Sequence, residues 1–196
     1  GLAEAYEREL RMQVAHTKER RLEVFKGIGR LWQSELDDVF NAQSAWERAR
    51  NEEPFDREAL DALRAIHEQQ GNDSARAEIL ESQIASEQYG RAEQLAIWRD
   101  LAEIRTDVFN DQPGAIEAWR AVLALAPEGA PMARAHELTA TGHAIRNLEV
   151  LYENTQRWQD LVELYERKLA LIEDDGTRIE TWLHVGTIQQ DNLRNT

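Results

Sequence analysis

The sequence contains no cysteine, which excludes disulfide bonds, thiolate metal ligands and a cysteine nucleophile. Proline and glycine are also scarce, at four and ten of 196 residues, and this favours helices over loop-rich β folds. No run of about 18 apolar residues is present, and the first residues lack the basic and apolar segments of a signal peptide. We therefore expect a soluble cytoplasmic chain without membrane insertion, and a cell-envelope location of a longer parent protein stays open.

Basic residues are in the minority: 23 Lys and Arg stand against 37 Asp and Glu, and the net charge is −14. Nucleic-acid binding requires a basic face that releases counterions, and an anionic membrane surface would repel this chain. We therefore expect neither as a partner. The acidic surface would instead steer a basic protein partner, or would serve only to keep the chain solvated.

The apolar positions repeat along the chain. A shift of 73 residues aligns those of 22–36 with those of 95–109, and it aligns Trp46 with Trp119. Shifts of 85 and 157 residues align further segments in the same way. Within each segment the apolar residues are three or four apart, which is the stripe of an amphipathic helix and not the alternation of a strand.

Proline, glycine and asparagine separate these stripes and predict where the helices end. One segment, 128–142, has no counterpart in the other repeats, and the sequence leaves open whether it is a loop or an extension of the next helix. The ten predicted helices span residues 2–17, 19–36, 41–52, 56–70, 74–88, 91–108, 114–125, 132–154, 158–173 and 177–192.

A motif recurs on these helices. A first helix carries an aromatic residue, an apolar residue, a small residue and a second aromatic residue, and a second helix carries Ala and Trp four apart. The clearest copy is Phe25-x2-Ile28-Gly29-x2-Trp32, Ala42-x3-Trp46 and Pro54; partial copies are Trp98-x2-Leu101-Ala102, Ala115-x3-Trp119 and Pro127, and Trp182-x2-Val185-Gly186.

This motif resembles the tetratricopeptide repeat, in the form seen in long bacterial arrays. The resemblance implies an all-α fold: an α-solenoid, or superhelix, of antiparallel helix pairs with about ten helices, forming a single array over residues 1–196. Two positions depart from the motif, because Arg64 and Glu149 stand where a small residue is expected. The superhelical geometry should be irregular for that reason.

The two ends of the array are expected to be incomplete. Residues Leu2–Leu10 align with Leu161–Leu169, a second helix of a pair, whereas the last predicted helix aligns with a first helix. Terminal repeats normally carry a polar cap, so we expect a fragment of a longer array. The alternative is that the chain ends pair with each other or with another copy.

Catalytic motifs are not found among the candidate residues. The five histidines show no H-E-x-x-H or other ligand spacing, and Gly27-Ile28-Gly29 lacks the preceding strand and third glycine of a phosphate loop. Most of the six tryptophans fall on repeat-core positions, where packing explains them better than a ligand cage does. We expect no enzyme activity, no metal and no cofactor.

The resemblance implies a function in protein binding, because the first helices of such arrays line a concave groove. Four basic residues on that face, Lys26, Arg30, Arg99 and Arg146, would hold carboxylates or backbone carbonyls of an extended peptide. The alternative is that they pair with neighbouring acidic residues. A second function is self-assembly into a homo-oligomer through the terminal helices. The full predicted groove set is Lys26, Arg30, Gln33, Arg99, Glu103, Thr106, Arg146, Asn147 and Val150.

Overall fold

A computed structural model describes residues 17–34, 36–126, 140–172 and 174–193. These residues form nine α-helices and no β-strand. Short π-helical turns, Ile104–Val108 and Gln189–Leu193, continue the fifth and ninth helices. The helices are α1 (Lys18–Ser34), α2 (Val39–Glu52), α3 (Arg57–Gln69), α4 (Asp73–Ala85), α5 (Arg91–Glu103), α6 (Gln112–Leu125), α7 (Ala140–Asn154), α8 (Trp158–Leu169) and α9 (Asp175–Ile188).

The all-α fold class of tetratricopeptide-like helix pairs is confirmed, and the predicted helix bounds agree to within a few residues wherever both ends of the predicted helix are described. The predicted helix 2–17 lies outside the described residues except for Thr17. Most of the segment 128–142 does so as well, and its last three residues belong to α7. Within the described part of the chain, no helix has the length and apolar content needed to cross a membrane.

Acidic or amide side chains begin most of these helices. In each case an oxygen of the capping side chain accepts a hydrogen bond from a backbone N–H three residues later, which satisfies a donor that has no partner within the helix. This explains why the chain turns where the sequence predicted breaks. The capping residues are Asp38, Asp56, Asn72, Asp111 and Asp174.

The chain forms two compact units. Unit 1 extends to Tyr89 and contains α1 to α4, and unit 2 begins at Gly90 and contains α5 to α9. In each unit, consecutive helices pack against each other across short connections, as in antiparallel helix hairpins. The expectation of a single array over residues 1–196 stays a prediction. Each unit has its own apolar core, built in unit 1 around Trp46, Leu60, Leu63, Ile66 and Ile79, and in unit 2 around Trp119, Ile145, Leu148, Leu161 and Tyr165.

Trp46 and Trp119 occupy equivalent places in the two units, as the 73-residue shift predicts. Both are almost completely buried, at 2% and 1% exposure. The indole Nε1 of Trp46 donates to Gln33 Oε1 at 3.2 Å, and that of Trp119 donates to Thr106 Oγ1 at 3.0 Å. The two acceptors are also 73 residues apart. The repeat therefore preserves the hydrogen bond of the buried indole as well as its packing.

The glycine of the motif makes room for this indole. A Cβ at Gly29 would lie 2.6 Å from the ring of Trp46, closer than real Cβ contacts allow. The small residue of the motif is therefore required, at Gly29, by the tryptophan of the second helix. Gly186 stands at the matching position of α9, and a Cβ there would meet no atom within 4 Å.

Trp182 stands at the position of the first aromatic residue of the motif, but it is not a core residue. Its side chain is 56% exposed, and its neighbours Ile179 and Leu183 are also exposed. The corresponding residues of α1, Leu22 and Phe25, pack against the core of unit 1. Their helix is followed by α2, which covers that face, whereas among the described residues no second helix follows α9.

Glu149 shows how a long residue is accommodated at the small-residue position. Its Oε1 lies 2.7 Å from Nζ of Lys168 on α8, and both side chains are largely buried. The pair α7 and α8 is thus joined by a charged hydrogen bond, where α1 and α2 are joined by an indole over a glycine.

Replacing Trp119 with alanine should lower the free energy of unfolding by about 3–5 kcal/mol, because apolar contact is lost and a cavity remains. Trp182→Ala removes the same side chain from an exposed position and should change it by about 0.5 kcal/mol or less. Urea unfolding of both variants in dilute solution measures the two values. Equal losses would show that the helix faces are wrongly placed.

Gly29→Ala should destabilise the protein. Overpacking against a buried ring costs about 1–3 kcal/mol, which outweighs the gain of up to about 1 kcal/mol from replacing a helical glycine. At Gly186 the space is open, so Gly186→Ala should keep the gain and raise the stability. Thermal unfolding of the two variants should therefore shift in opposite directions, and shifts of the same sign would contradict the assigned packing.

Candidate functional site

The predicted groove residues lie on the first helices of successive pairs. In unit 1 they belong to α1, and in unit 2 they belong to α5, to the π-helical turn that follows it and to α7. The structure brings each group together with different partners, so the two units are described in turn.

In unit 1, the cations of α1 are paired with carboxylates at the start of α3. Lys26 Nζ lies 3.0 Å from Asp56 Oδ2 and 3.0 Å from Glu58 Oε2. Arg30 binds Glu58 through two parallel hydrogen bonds, one of them 2.7 Å between Nη2 and Oε2. We call these four residues the charged face of unit 1. It joins the first helices of two consecutive pairs, and it presents ion pairs and not an excess of positive charge.

The ion pairs shift the pKa values of Glu58 and Lys26. The hydrogen bond from Arg30 is the largest cause that lowers the pKa of Glu58, and with Lys26 it brings the value to about 2. Partial burial alone would lower the pKa of Lys26, but its hydrogen bonds to Glu58 and Asp56 outweigh burial and raise it. Glu58 and Lys26 are therefore both ionised at neutral pH, and their charges compensate each other.

A depression of about 510 Å³ lies beside this face, at the turn from α2 to α3. Phe55 lies in that turn with its side chain 43% exposed. The backbone oxygen of Phe55 accepts a hydrogen bond from Gln88 Nε2 at 3.0 Å, and Arg57 Nη1 donates to Gln88 O at 3.1 Å. These bonds fix the turn, so the ring is presented to solvent on an ordered backbone. The lining residues of this Phe55 depression are Lys26, Glu53, Phe55, Asp56, Arg57, Glu58, Asp61 and Gln88.

A cluster of hydrogen-bonded polar side chains lies beside the depression and includes its lining residue Asp61. The hydroxyl of Tyr89 donates to Asp61 Oδ1 at 2.8 Å, and Gln83 Nε2 donates to the same oxygen at 2.7 Å. The guanidinium of Arg57 lies over the Tyr89 ring, 4.7 Å from its centroid. Burial, together with the hydrogen bond to Asp61, raises the pKa of Tyr89, which keeps its hydroxyl a donor. The cluster ties α3 to the end of α4 and to the segment that follows it.

In unit 2, the predicted residues interact mainly within their own helices. Arg99 lies 3.2 Å from the buried Asp100 and 3.8 Å from Glu103, the i,i+4 pairing weighed as an alternative. Asn147 donates to the backbone oxygen of His143 at 2.9 Å. Arg146 is exposed on α7. The two cations of the unit 2 set are therefore an arginine on α5 that pairs with acidic residues of its own helix, and an exposed arginine on α7.

Two residues of the predicted set have a structural role. Gln33 in unit 1 and Thr106 in unit 2 accept the hydrogen bonds of the buried indoles. Their side-chain oxygens are therefore engaged inside the helix pair, which leaves them less available for a partner than the charged residues nearby.

Sequence reasoning missed the part of the site contributed by the start of α3. None of Phe55, Asp56 and Glu58 was singled out from the sequence. The sequence did contain a signal. Phe55 directly follows the proline of the motif, Pro54. Acidic residues stand at the start of the next first helix, and the preceding first helix carries Lys26 and Arg30. Charges of opposite sign on consecutive first helices predict pairing between them.

A second kind of depression recurs in both units. It is lined by one first helix and by the two second helices that precede and follow it in the chain, α2, α3 and α4 in unit 1 and α6, α7 and α8 in unit 2. In unit 1 it measures about 450 Å³, and in unit 2 about 320 Å³. Leu63 and His67 line the first, and Leu148 and Tyr152, 85 residues further along, line the second. His67 is buried, and its Nδ1 has no hydrogen-bond partner. Across the described ranges, no group of three or more acidic or histidine side chains is placed to hold a metal ion.

Part of the chain matches a known repeat family. A tetratricopeptide repeat family model matches residues 144–179, which cover most of α7, all of α8 and the start of α9. Eleven chains of solved structures match the fold. One is described as the crystal structure of MamA protein; it is 16% identical, the match covers 88% of this chain and 82% of that chain, and the TM-score is 0.49. No curated protein matches the sequence.

The low pKa of Glu58 predicts a pH dependence of stability. A carboxyl whose pKa falls on folding, here from 4.5 to about 2, stabilises the fold above pH 4.5, and this contribution is lost as the pH falls towards 2. Glu58→Gln should therefore cost stability at pH 7, by less than about 1 kcal/mol because the pair is partly exposed. Urea unfolding at several pH values should show the wild-type and variant curves converging in acid. Parallel curves from pH 7 to 2 would contradict the assignment.

Proposed function

Because the chain is built from tetratricopeptide-like repeats, we propose that it is a scaffold without turnover that binds a protein or peptide through its first helices. Arrays of this type expose the same helix of every pair on one side, and that side offers an extended binding surface. In unit 1 the contact would centre on the Phe55 depression and the charged face. In unit 2 it would use Arg99, Glu103, Arg146 and Asn147.

The observation that carries this proposal is the exposed aromatic ring of Phe55, which lies in a depression lined mostly by charged side chains. Binding energy in protein interfaces concentrates in a few aromatic or arginine anchors, and the polar residues around them exclude water. Phe55 is held in a turn by the hydrogen bonds of Gln88. Little conformational entropy would be lost when a partner covers the ring, and preorganisation of this kind favours affinity.

The paired charges define what the partner should carry. A carboxylate of the partner would have to displace Glu58 from Arg30, and Glu58 would then need a cation or a backbone N–H in return. Exchange of this kind favours a segment with an apolar residue flanked by charges of both signs. A purely acidic peptide would leave Glu58 and Asp56 uncompensated, and it would also meet the net charge of −14.

Self-assembly is the second function that a specific observation favours. Ile179, Trp182 and Leu183 form an exposed apolar patch on one helix, α9. Exposed contiguous apolar patches mark interaction surfaces more often than single exposed residues do. We propose that this patch is a contact between copies of the chain.

Substitutions in the Phe55 depression should weaken partner binding without unfolding the protein. A partner is first isolated by pull-down from the native host with the intact chain. Phe55→Ala should then raise the dissociation constant about tenfold or more, as expected for an aromatic anchor worth at least about 1.4 kcal/mol. Phe40→Ala is the matched control, because Phe40 is a more exposed phenylalanine that lies outside the depression.

Charge reversal tests the rest of the face in the same assay. Arg30→Glu and Arg99→Glu, singly and together, should weaken binding. Arg21→Glu is the control for Arg30, because Arg21 also forms a two-bond pair with a glutamate, Glu52, but lies on the opposite side of α1. Equal affinities for the wild type, Phe55→Ala and the doubly reversed protein, all still helical by circular dichroism, would exclude this face as the binding site.

A further inference from the structure

The ninth helix, α9, carries apolar residues on its buried side and on its exposed side. Thr181, Val185 and Ile188 are buried in unit 2. Tyr165 of α8 reaches His184 with an edge-to-face ring contact, at 5.2 Å between centroids. The other side carries the exposed patch of Ile179, Trp182 and Leu183, followed by Gly186. In the part of the chain that the structure describes, nothing lies within 4 Å of the Cβ position of Gly186.

The equivalent side of α1 shows what such a face accepts. It is covered by α2, whose Trp46 ring lies directly against Gly29. The same position of the second helix holds Trp119 in α6 and Tyr165 in α8, whereas α4 holds Leu80 there. The open space above Gly186 therefore fits a second helix with an aromatic residue at that position, and the exposed patch fits its apolar stripe.

The chain contains a further sequence of this kind near its start. Residues 2–10, which lie outside the described residues, read Leu-Ala-Glu-Ala-Tyr-Glu-Arg-Glu-Leu, and six of the nine are identical to 161–169 in α8. The identities include Leu2, Tyr6 and Leu10, which correspond to residues that α8 buries. Tyr6 stands at the position that Tyr165 holds in α8, and that Trp46 and Trp119 hold in α2 and α6.

We propose that residues 2–10 of a second copy of the chain bind the exposed face of α9, with Tyr6 placed over Gly186. The proposal rests on the self-assembly function and adds its partner segment and register. The contact is heterologous, because the surfaces from the two copies differ. It leaves one surface of each kind unused at the ends and so leads to chains of copies or to closed rings.

Electrostatics gives the assembly a defined salt dependence. Each copy carries a net charge of −14, so the copies repel each other. The proposed contact itself is apolar and is not weakened by salt. Screening of the repulsion should therefore strengthen the assembly as salt rises from low ionic strength, whereas an assembly held by ion pairs would weaken.

The test is the molar mass of the intact chain, measured by light scattering and sedimentation velocity over a dilution series at low and physiological salt. The wild type should associate with increasing concentration, more strongly at the higher salt. Trp182→Glu and Gly186→Leu should each abolish association by disrupting the α9 side, and Tyr6→Ala should abolish it from the other side. Tyr6→Trp should retain it, because tryptophan occupies this position in α2 and α6.

Mixing the variants tests the head-to-tail arrangement directly. Tyr6→Ala keeps an intact α9 face and Gly186→Leu keeps an intact segment 2–10, so an equimolar mixture can form one contact and no second one. The mixture should give a species of two chains and nothing larger, although each variant alone stays a single chain. Circular dichroism checks that both are as helical as the wild type, and Gly186→Leu should fold normally because its site is open in the single chain.

Two results would overturn the proposal in distinguishable ways. A wild type that remains a single chain at every concentration and salt would exclude self-assembly and its register together. Association that Trp182→Glu abolishes but Tyr6→Ala leaves unchanged would keep the α9 face as a contact between copies. In that case the partner segment would be wrong, and another surface of the second copy would cover Trp182.

Discussion

In two of the helix pairs, α1 with α2 and α5 with α6, the tryptophan of the second helix must fit against the first helix, and the packing around it depends on this contact. Trp46 fits because Gly29 has no side chain, and Trp119 has Ala102 at the matching position. The indoles are buried, so their N–H groups need acceptors, and Gln33 and Thr106 supply them. One buried ring thus sets the distance between two helices and fixes a polar residue on the helix it packs against.

The same contact explains where functional surfaces can arise. The polar residues beside the indoles, Gln33 and Thr106, are engaged in the hydrogen bonds of the buried rings, so they contribute less to a surface than residues at helix starts and turns do. Phe55, Asp56 and Glu58 occupy such a place, and their neighbours Gln88 and Tyr89 hold the turn in shape. At α9, among the described residues, the first helix of such a contact is present without a second helix against it, and the surface there is apolar with an open glycine position.

Much of the fold could be predicted from the sequence, because a 3.6-residue stripe and a repeated Trp identify helices and their register without knowledge of contacts. The breaks before α3 and α9 were marked by residue type alone, and the structure places the caps Asp56 and Asp174 there. Periodicity could not reveal the exposure of Trp182, since it shows which face of a helix is apolar but not whether another helix covers it. Nor could it reveal the pairing of Lys26 and Arg30 with Glu58, because that depends on how two helices thirty residues apart are aligned in space.

The ion pairs finally limit what the acidic composition can do. Exposed pairs contribute little net energy, about 0–1 kcal/mol each, and exchanging Glu58 for a carboxylate of a partner replaces one such pair with another of similar strength. Charge on this face can therefore select partners and speed their approach, but it cannot supply most of the affinity. That must come from apolar surface removed from water, at roughly 25 cal/mol per Å². In unit 1 the ring of Phe55 provides such surface beside the charged face, and in unit 2 the patch on α9 does.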